Sequence, residues 1–179
     1  MDKNIHKILL KPLVSLNVVT FLVFFSFALQ RPFIPVFMEE KLGASILEVG
    51  YAASVLGLTG VLLSVPAGFI SDRIGRHVPI IAGSFFWAGS LAYMSIATDP
   101  LQIILSFAVA GAGTVLFDAS ISAYVGDISS TDNLGKTYGV FNAAIQAGFA
   151  AGPIAGALLI IQMGYRDTFL ATAVLPMIA

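Results

Sequence analysis

The sequence predicts an all-α membrane protein: a bundle of six transmembrane helices, the last of them truncated. Three observations carry that expectation. Apolar types make up 58% of the 179 residues and charged types only 11%, whereas a soluble domain carries about 25% charged residues. The mean hydropathy is +0.92, so the whole chain is oily. The apolar runs are continuous between short charge clusters, without the alternation that a membrane β-barrel requires. In lipid every backbone N–H must be paired within the protein, which leaves helices as the solution.

The elements follow from the runs, each long enough to cross a bilayer at about 20 residues per helix. The first is predicted over residues 12–38, the second over 47–70 and the third over 78–97. The fourth spans 101–125 and the fifth 138–163. The sixth starts at Thr168 and is still apolar at Ala179. Twelve residues of helix reach only about 18 Å, short of a hydrocarbon core about 30 Å thick, so this crossing is incomplete. Residues 1–179 form one unit.

The cations set an expected orientation. Lys3, Lys7, Lys11, Arg73, Arg76 and Lys136 fall on one side, Lys41 and Arg166 on the other, and Arg31 near the outer end of the first helix. The excess places the N-terminus in the cytoplasm and the chain, multi-pass, in a cell membrane, plasma or inner. The first run is too long for a signal peptide, and no small-x-small cleavage site follows it.

Composition also excludes functions. A formal net charge of −1 leaves no basic patch for nucleic acid. Without cysteine, and with His6 and His77 as the two histidines, neither a thiol nor a His/Cys metal site is expected. No Ser–His–Asp grouping or phosphate-cradling loop argues for an enzyme, and no cofactor is expected. The partners that fit are the lipid bilayer, protons and a small molecule.

Two stretches are specific. Between the second and third helices lies Gly68-Phe-Ile-Ser-Asp72-Arg73-Ile-Gly75-Arg76-His77, a dense charge cluster in a tight loop where Gly75 is expected to adopt a conformation other residues resist. A cytoplasmic anchor with a turn glycine explains the arginines but not Asp72 or the spacing to Gly68. On the fifth helix, Gly148, Gly152 and Gly156 recur every fourth residue, with Ala144 on the same stripe, Pro153 beside it and Gly139 upstream. Such a stripe lets another helix approach closely, and Pro153 bends the helix or frees a carbonyl.

The loop resembles motif A of the major facilitator superfamily, G-x-x-x-D-R-x-G-R-[R/K], and departs from it only at the last place, His77. The fifth-helix string resembles motif C, G-x8-G-x3-G-P-x2-G-G, with Ala157 for the final glycine; this motif marks the antiporter branch, notably drug:proton exporters. Arg31-Pro32-Phe-Ile-Pro35 and Gly164-Tyr165-Arg166-Asp-Thr-Phe169 also resemble family segments. The resemblance implies the N-terminal six-helix half of a twelve-helix fold working by alternating access. It implies a cytoplasmic gate of Gly68, Asp72, Arg73, Gly75, Arg76 and Asp127, with Arg73 pairing Asp127. It further implies that the glycine stripe packs against a helix of the C-terminal half, so that the partner is that missing half or a second copy. The antiporter arginine of motif B is not there: Gly111-Ala-Gly113 is present, but Phe107 stands in the arginine's place.

Polar residues inside the spans are the remaining candidates. Ionisable groups at membrane depth are costly and usually face a cavity. Asn17, Thr20, Phe24, Phe27 and Arg31 share one face of the first helix, with Gln30 adjacent; Arg31 either enters a cavity or snorkels to the interface. On the fourth helix Thr114 and Asp118 share a face, and Asp118 is the one acid deep inside a predicted span. Asp118 with Arg31 is the expected proton-coupling pair. Asn17, Thr20, Phe24, Gln30 and Thr114, with Asn142 and Gln146 from the fifth helix, form the expected substrate cavity. The first and fourth helices are its expected walls. Asn142 and Gln146 have helix bridging as the alternative. Trp87 and Tyr93 read as interface or lipid-facing aromatics. The function expected is a proton-coupled exporter of small amphipathic molecules; a uniporter, a self-pairing half-transporter, a fragment of a longer transporter and a non-transporting scaffold are the alternatives.

Overall fold

The computed structural model describes residues 3–178, with side chains from Val14 onward. The predicted cytoplasmic cations Lys3, Lys7 and Lys11 lie outside the described side chains. The described chain is helical throughout: α1 (Lys3–Gln30), α2 (Phe33–Leu42), α3 (Ile46–Ile74), α4 (His77–Ser95), α5 (Pro100–Ile128), α6 (Leu134–Thr172) and α7 (Leu175–Ile178), with a 3₁₀ turn at Thr131–Asn133. Five helical stretches are long and apolar enough to cross a membrane.

Two boundaries differ from the sequence expectation. The first helix is not one rod, because the chain turns at Arg31-Pro32 before α2 continues the same span. Pro32 lacks the N–H that an uninterrupted helix would use. The fifth and sixth predicted helices are joined without a loop, and Gly164 alone reverses the chain at φ 83° and ψ 173°. That backbone region is open essentially to glycine only. Beyond it Arg166 donates to the Ala97 carbonyl at 2.7 Å, and Ser26 of α1 donates to the Thr172 carbonyl at 3.1 Å. Phe169 meets the Phe37 ring edge-on at 5.2 Å. The chain thus folds back along α1 and α2.

Helix ends are fixed locally. Ser45 and Glu48 form a reciprocal capping box at the start of α3. Gly43, at φ 66°, ends α2 while the Ala44 N–H reaches the Met38 carbonyl at 2.9 Å, a Schellman closure. Asp99 accepts from the Leu101 N–H at 2.8 Å ahead of Pro100.

Glycines set the helix crossings. α6 runs along α1, and α5 runs between α3 and α4. A Cβ on Gly148 would lie 2.8 Å from the Phe25 nitrogen, one on Gly152 would meet Ala28, and one on Gly156 would overlap the Leu29 carbonyl. The motif C face therefore packs against α1 of the same chain, not on a missing half as expected. Gly83 and Gly113 make a second close crossing of α4 with α5: a Cβ on either would lie within 2.8 Å of the other's carbonyl oxygen. The core divides into two clusters. One, around Leu91, Met94, Ile103 and Phe169, lies toward the Ala97 end. The other, around Phe117, Ile121, Val125 and Phe141, lies toward the Arg76 end.

Candidate functional site

At the Arg76 end, α3 runs out at Ile74 and Gly75 turns the chain at φ 87° and ψ 161°. This is the special conformation expected of Gly75. It carries Arg76 across to α5, where Nε donates to Asp127 Oδ2 at 2.9 Å. The same guanidinium bonds Asp72 on α3 and the buried Ser71 hydroxyl, the latter at 3.2 Å. The hydrogen bonds to Asp127 and then to Asp72 hold the Arg76 pKa above its ordinary value. The expected Arg73–Asp127 pair is replaced by Arg76–Asp127. Arg73 precedes the turn, and its guanidinium lies over the Phe69 ring, 4.2 Å from the centroid. His77 faces the Tyr124 ring of α5 at 5.4 Å, and the Tyr138 hydroxyl bridges α6 to the Ser122 carbonyl at 2.8 Å.

Gly75→Ala is expected to cost about 1–3 kcal/mol, since the required conformation is essentially closed to a side chain. Detergent-unfolding curves of the two proteins would show it. Equal midpoints would mean that the turn relaxes.

The second feature is a cavity of about 260 Å³. α1 contributes Phe27 and the turn after it Arg31, and α5 contributes Gly111, Thr114 and Val115. α3 supplies the third wall, Ala53, Leu56, Gly57 and Gly60, where the sequence led to walls from the first and fourth helices with Asn142 and Gln146 of the fifth. Arg31 makes no hydrogen bond or ion pair with any described residue. Phe27 stacks flat on Trp87 of α4, with centroids 3.6 Å apart and planes 6° from parallel. Trp87 is thus buried at 3% exposure behind the cavity wall, not at an interface; a tryptophan on a continuously apolar helix gives no sign of which face it takes. Tyr93 is exposed.

Of the residues expected to line a cavity, Arg31 and Thr114 do so. The Thr114 hydroxyl donates back to the Ala110 carbonyl at 2.8 Å. Asp118, one turn further along α5, is half-buried and makes no hydrogen bond or ion pair with a described residue, Arg31 included. Thr20 is buried and spends its hydroxyl on the Leu16 carbonyl of its own helix. Phe24 is buried among Phe117 and Phe149. Gln30 is fully buried, with no hydrogen-bond partner for its amide among the described residues. Asn17 is half-buried. Asn142 and Gln146 are exposed on α6, and Asn142 donates to the Tyr138 carbonyl at 2.9 Å. The sequence reading missed Ser71 as a support for Arg76 and Gly57 as a cavity wall. Gly57 belongs to a run of small residues spaced along α3, Ala53, Gly57, Gly60, Ser64 and Gly68.

The family model for the Major Facilitator Superfamily matches residues 16–179. The chain belongs to this superfamily. It is similar to an MFS-type transporter of Methanocaldococcus jannaschii, 31% identical over 135 residues, covering 73% of this chain and 34% of that relative. Multidrug resistance protein 1 of Bacillus subtilis is 30% identical over 139 residues, covering 78% of this chain and 36% of the relative. The chain thus spans about a third of the length of these relatives. A crystal structure of the peptide transporter POT superposes with a TM-score of 0.82 at 20% identity, over 94% of this chain and 36% of that one, which shows the superfamily fold. Superfamily membership and the apolar helices make this a multi-pass membrane protein, and its relatives are transporters.

Proposed function

We propose that this superfamily chain is the N-terminal six-helix half of a secondary active transporter, a proton-coupled exporter of small amphipathic molecules working by alternating access. In this reading the N-terminus is cytoplasmic, and the Arg76–Asp127–Asp72 network latches that side in one of two states. The observation that carries it is the half-buried Asp118, without a partner among the described residues, one turn from the cavity wall at Thr114. A carboxylate inside a membrane span is costly to keep charged and marks a functional site. Gaining or losing a proton there shifts the balance between outward-open and inward-open states. The relation to a multidrug resistance protein supports export.

The half needs a second bundle. Along α3, Ala53, Gly57 and Ser64 are exposed, and a Cβ on Gly57 or Gly68 would meet nothing within 4 Å. That uncovered stripe fits a C-terminal half or a second copy of the chain. Light scattering in mild detergent separates the two, since a defined dimer indicates self-pairing and a monomer indicates the other half.

Coupling is tested in liposomes with an imposed pH gradient. Wild-type efflux is expected to follow the gradient. Asp118→Asn, which cannot ionise, is expected to abolish that dependence while keeping exchange down a substrate gradient. Gradient-driven flux unchanged in the variant would remove Asp118 from the mechanism and favour a uniporter.

A further inference from the structure

We infer that the cavity between α1, α3 and α5 binds a small organic anion, a carboxylate-type head on an apolar body, with Arg31 as the anchor for the charge. The inference rests on the transporter reading and names the substrate class of the same cavity. Arg31 brings a planar guanidinium whose donors match a carboxylate. It lies in the turn between α1 and α2, within the apolar stretch Val14–Leu42 and eight residues before Glu39, with its side chain exposed toward the cavity side of the bundle's surface. A cation there normally has a partner, but Arg31 has none among the described residues. No acidic side chain lines the cavity. Asp118, the acid nearest along α5, stands a turn beyond Thr114 and does not reach Arg31.

A cationic ligand would meet an unneutralised guanidinium in an apolar setting. An anion would neutralise it through the two-pronged N–H geometry that suits carboxylates. The rest of the wall is apolar or small: the Phe27 ring, Leu56, Val115 and the bare backbone of Gly57. At about 260 Å³ the space holds a small charged head and part of an apolar body.

The protein carries its own reporter. Trp87 is the single tryptophan, and it is stacked on Phe27, whose ring lines the cavity. The experiment titrates the chain, in phosphatidylcholine nanodiscs, with 3-phenylpropionate and with the phenethylammonium cation, reading Trp87 fluorescence. The two probes share a body and differ in the sign of the head. The expected result is saturable binding of the anion about tenfold or more tighter than the cation, abolished by Arg31→Gln and kept by Arg31→Lys. Gly57→Leu fills the cavity from a position with open space around it, and is expected to block the anion while leaving the circular dichroism unchanged. Equal binding of both probes, or a cation preference, overturns the anion assignment while the cavity and the transporter reading stand. Saturable binding of neither, with Gly57→Leu indistinguishable from wild type, removes the cavity as a ligand site, while the transporter reading stands or falls separately on the pH-gradient flux of wild type and Asp118→Asn.

Discussion

Gly156→Ala is expected to destabilise the bundle by about 2 kcal/mol, within the range for overpacking a filled site. Two opposing terms decide the sign. Alanine is the better helix former by up to about 1 kcal/mol, and that term acts alone where space is open. At Gly139 nothing lies within 4 Å of an added Cβ, so Gly139→Ala is expected to be neutral or slightly stabilising. At Gly156 the Cβ would overlap the backbone carbonyl of Leu29, with the Phe33 ring 3.0 Å away. A carbonyl cannot rotate aside as a side chain does, so α1 as a whole has to move. Gly152 and Gly148 meet the same helix one and two turns back, so the displacement spreads along the crossing. Unfolding titrations in mixed detergent micelles, run on both variants, measure the contrast. Gly156→Ala as stable as Gly139→Ala would sink the α1–α6 crossing.

The same glycines show where the sequence was legible and where it was not. Charge clusters separated by apolar runs located the spans: 47–70, 78–97 and 101–125 were expected, and Ile46–Ile74, His77–Ser95 and Pro100–Ile128 are found. Hydropathy reports whether a residue tolerates lipid, and it says nothing about direction. That is why Arg31-Pro32 passed as the interior of one helix and the reversal at Gly164 as a loop. Spacing marked Gly148, Gly152 and Gly156 as one close-contact face. It carries no information on which helix arrives there, and the partner proved to be α1 instead of an absent half. Trp87 was misplaced for the same reason: on a helix apolar all round, periodicity cannot tell a lipid face from a buried one. Arg31 and Thr114 were legible as polar residues within apolar runs, while the α3 wall of the cavity, Ala53, Leu56, Gly57 and Gly60, carries no polar side chain to mark it.

Arg76→Gln is expected to slow transport by about tenfold or more, in the range of typical conformational couplings, with Arg73→Gln close to wild type. The two arginines are three residues apart in one motif, and composition treats them alike. The turn at Gly75 separates them: Arg76 joins Asp127 of α5 to Asp72 of α3, whereas Arg73 rests on Phe69 of its own helix. Only Arg76 therefore makes an ion pair between helices that can break when the bundle rearranges. The carboxylates are largely exposed, with 69% of the Asp72 and 55% of the Asp127 side-chain surface accessible, and exposed pairs contribute little to stability. The variant should accordingly unfold near the wild-type midpoint and differ in rate, and Arg76→Lys should recover part of the rate because it keeps the charge. Nor is this arginine a pH sensor. Its pKa is raised by the hydrogen bonds to Asp127 and Asp72, so its stabilising contribution is fully present below the unfolded-state value and is lost only as pH rises through the raised one, far above neutrality. Transport measured between pH 6 and 8 should show the same ratio of Arg76→Gln to wild type throughout. A ratio that varies with pH, or an Arg73→Gln defect as large as that of Arg76→Gln, would return the latch to the pairing the motif suggests.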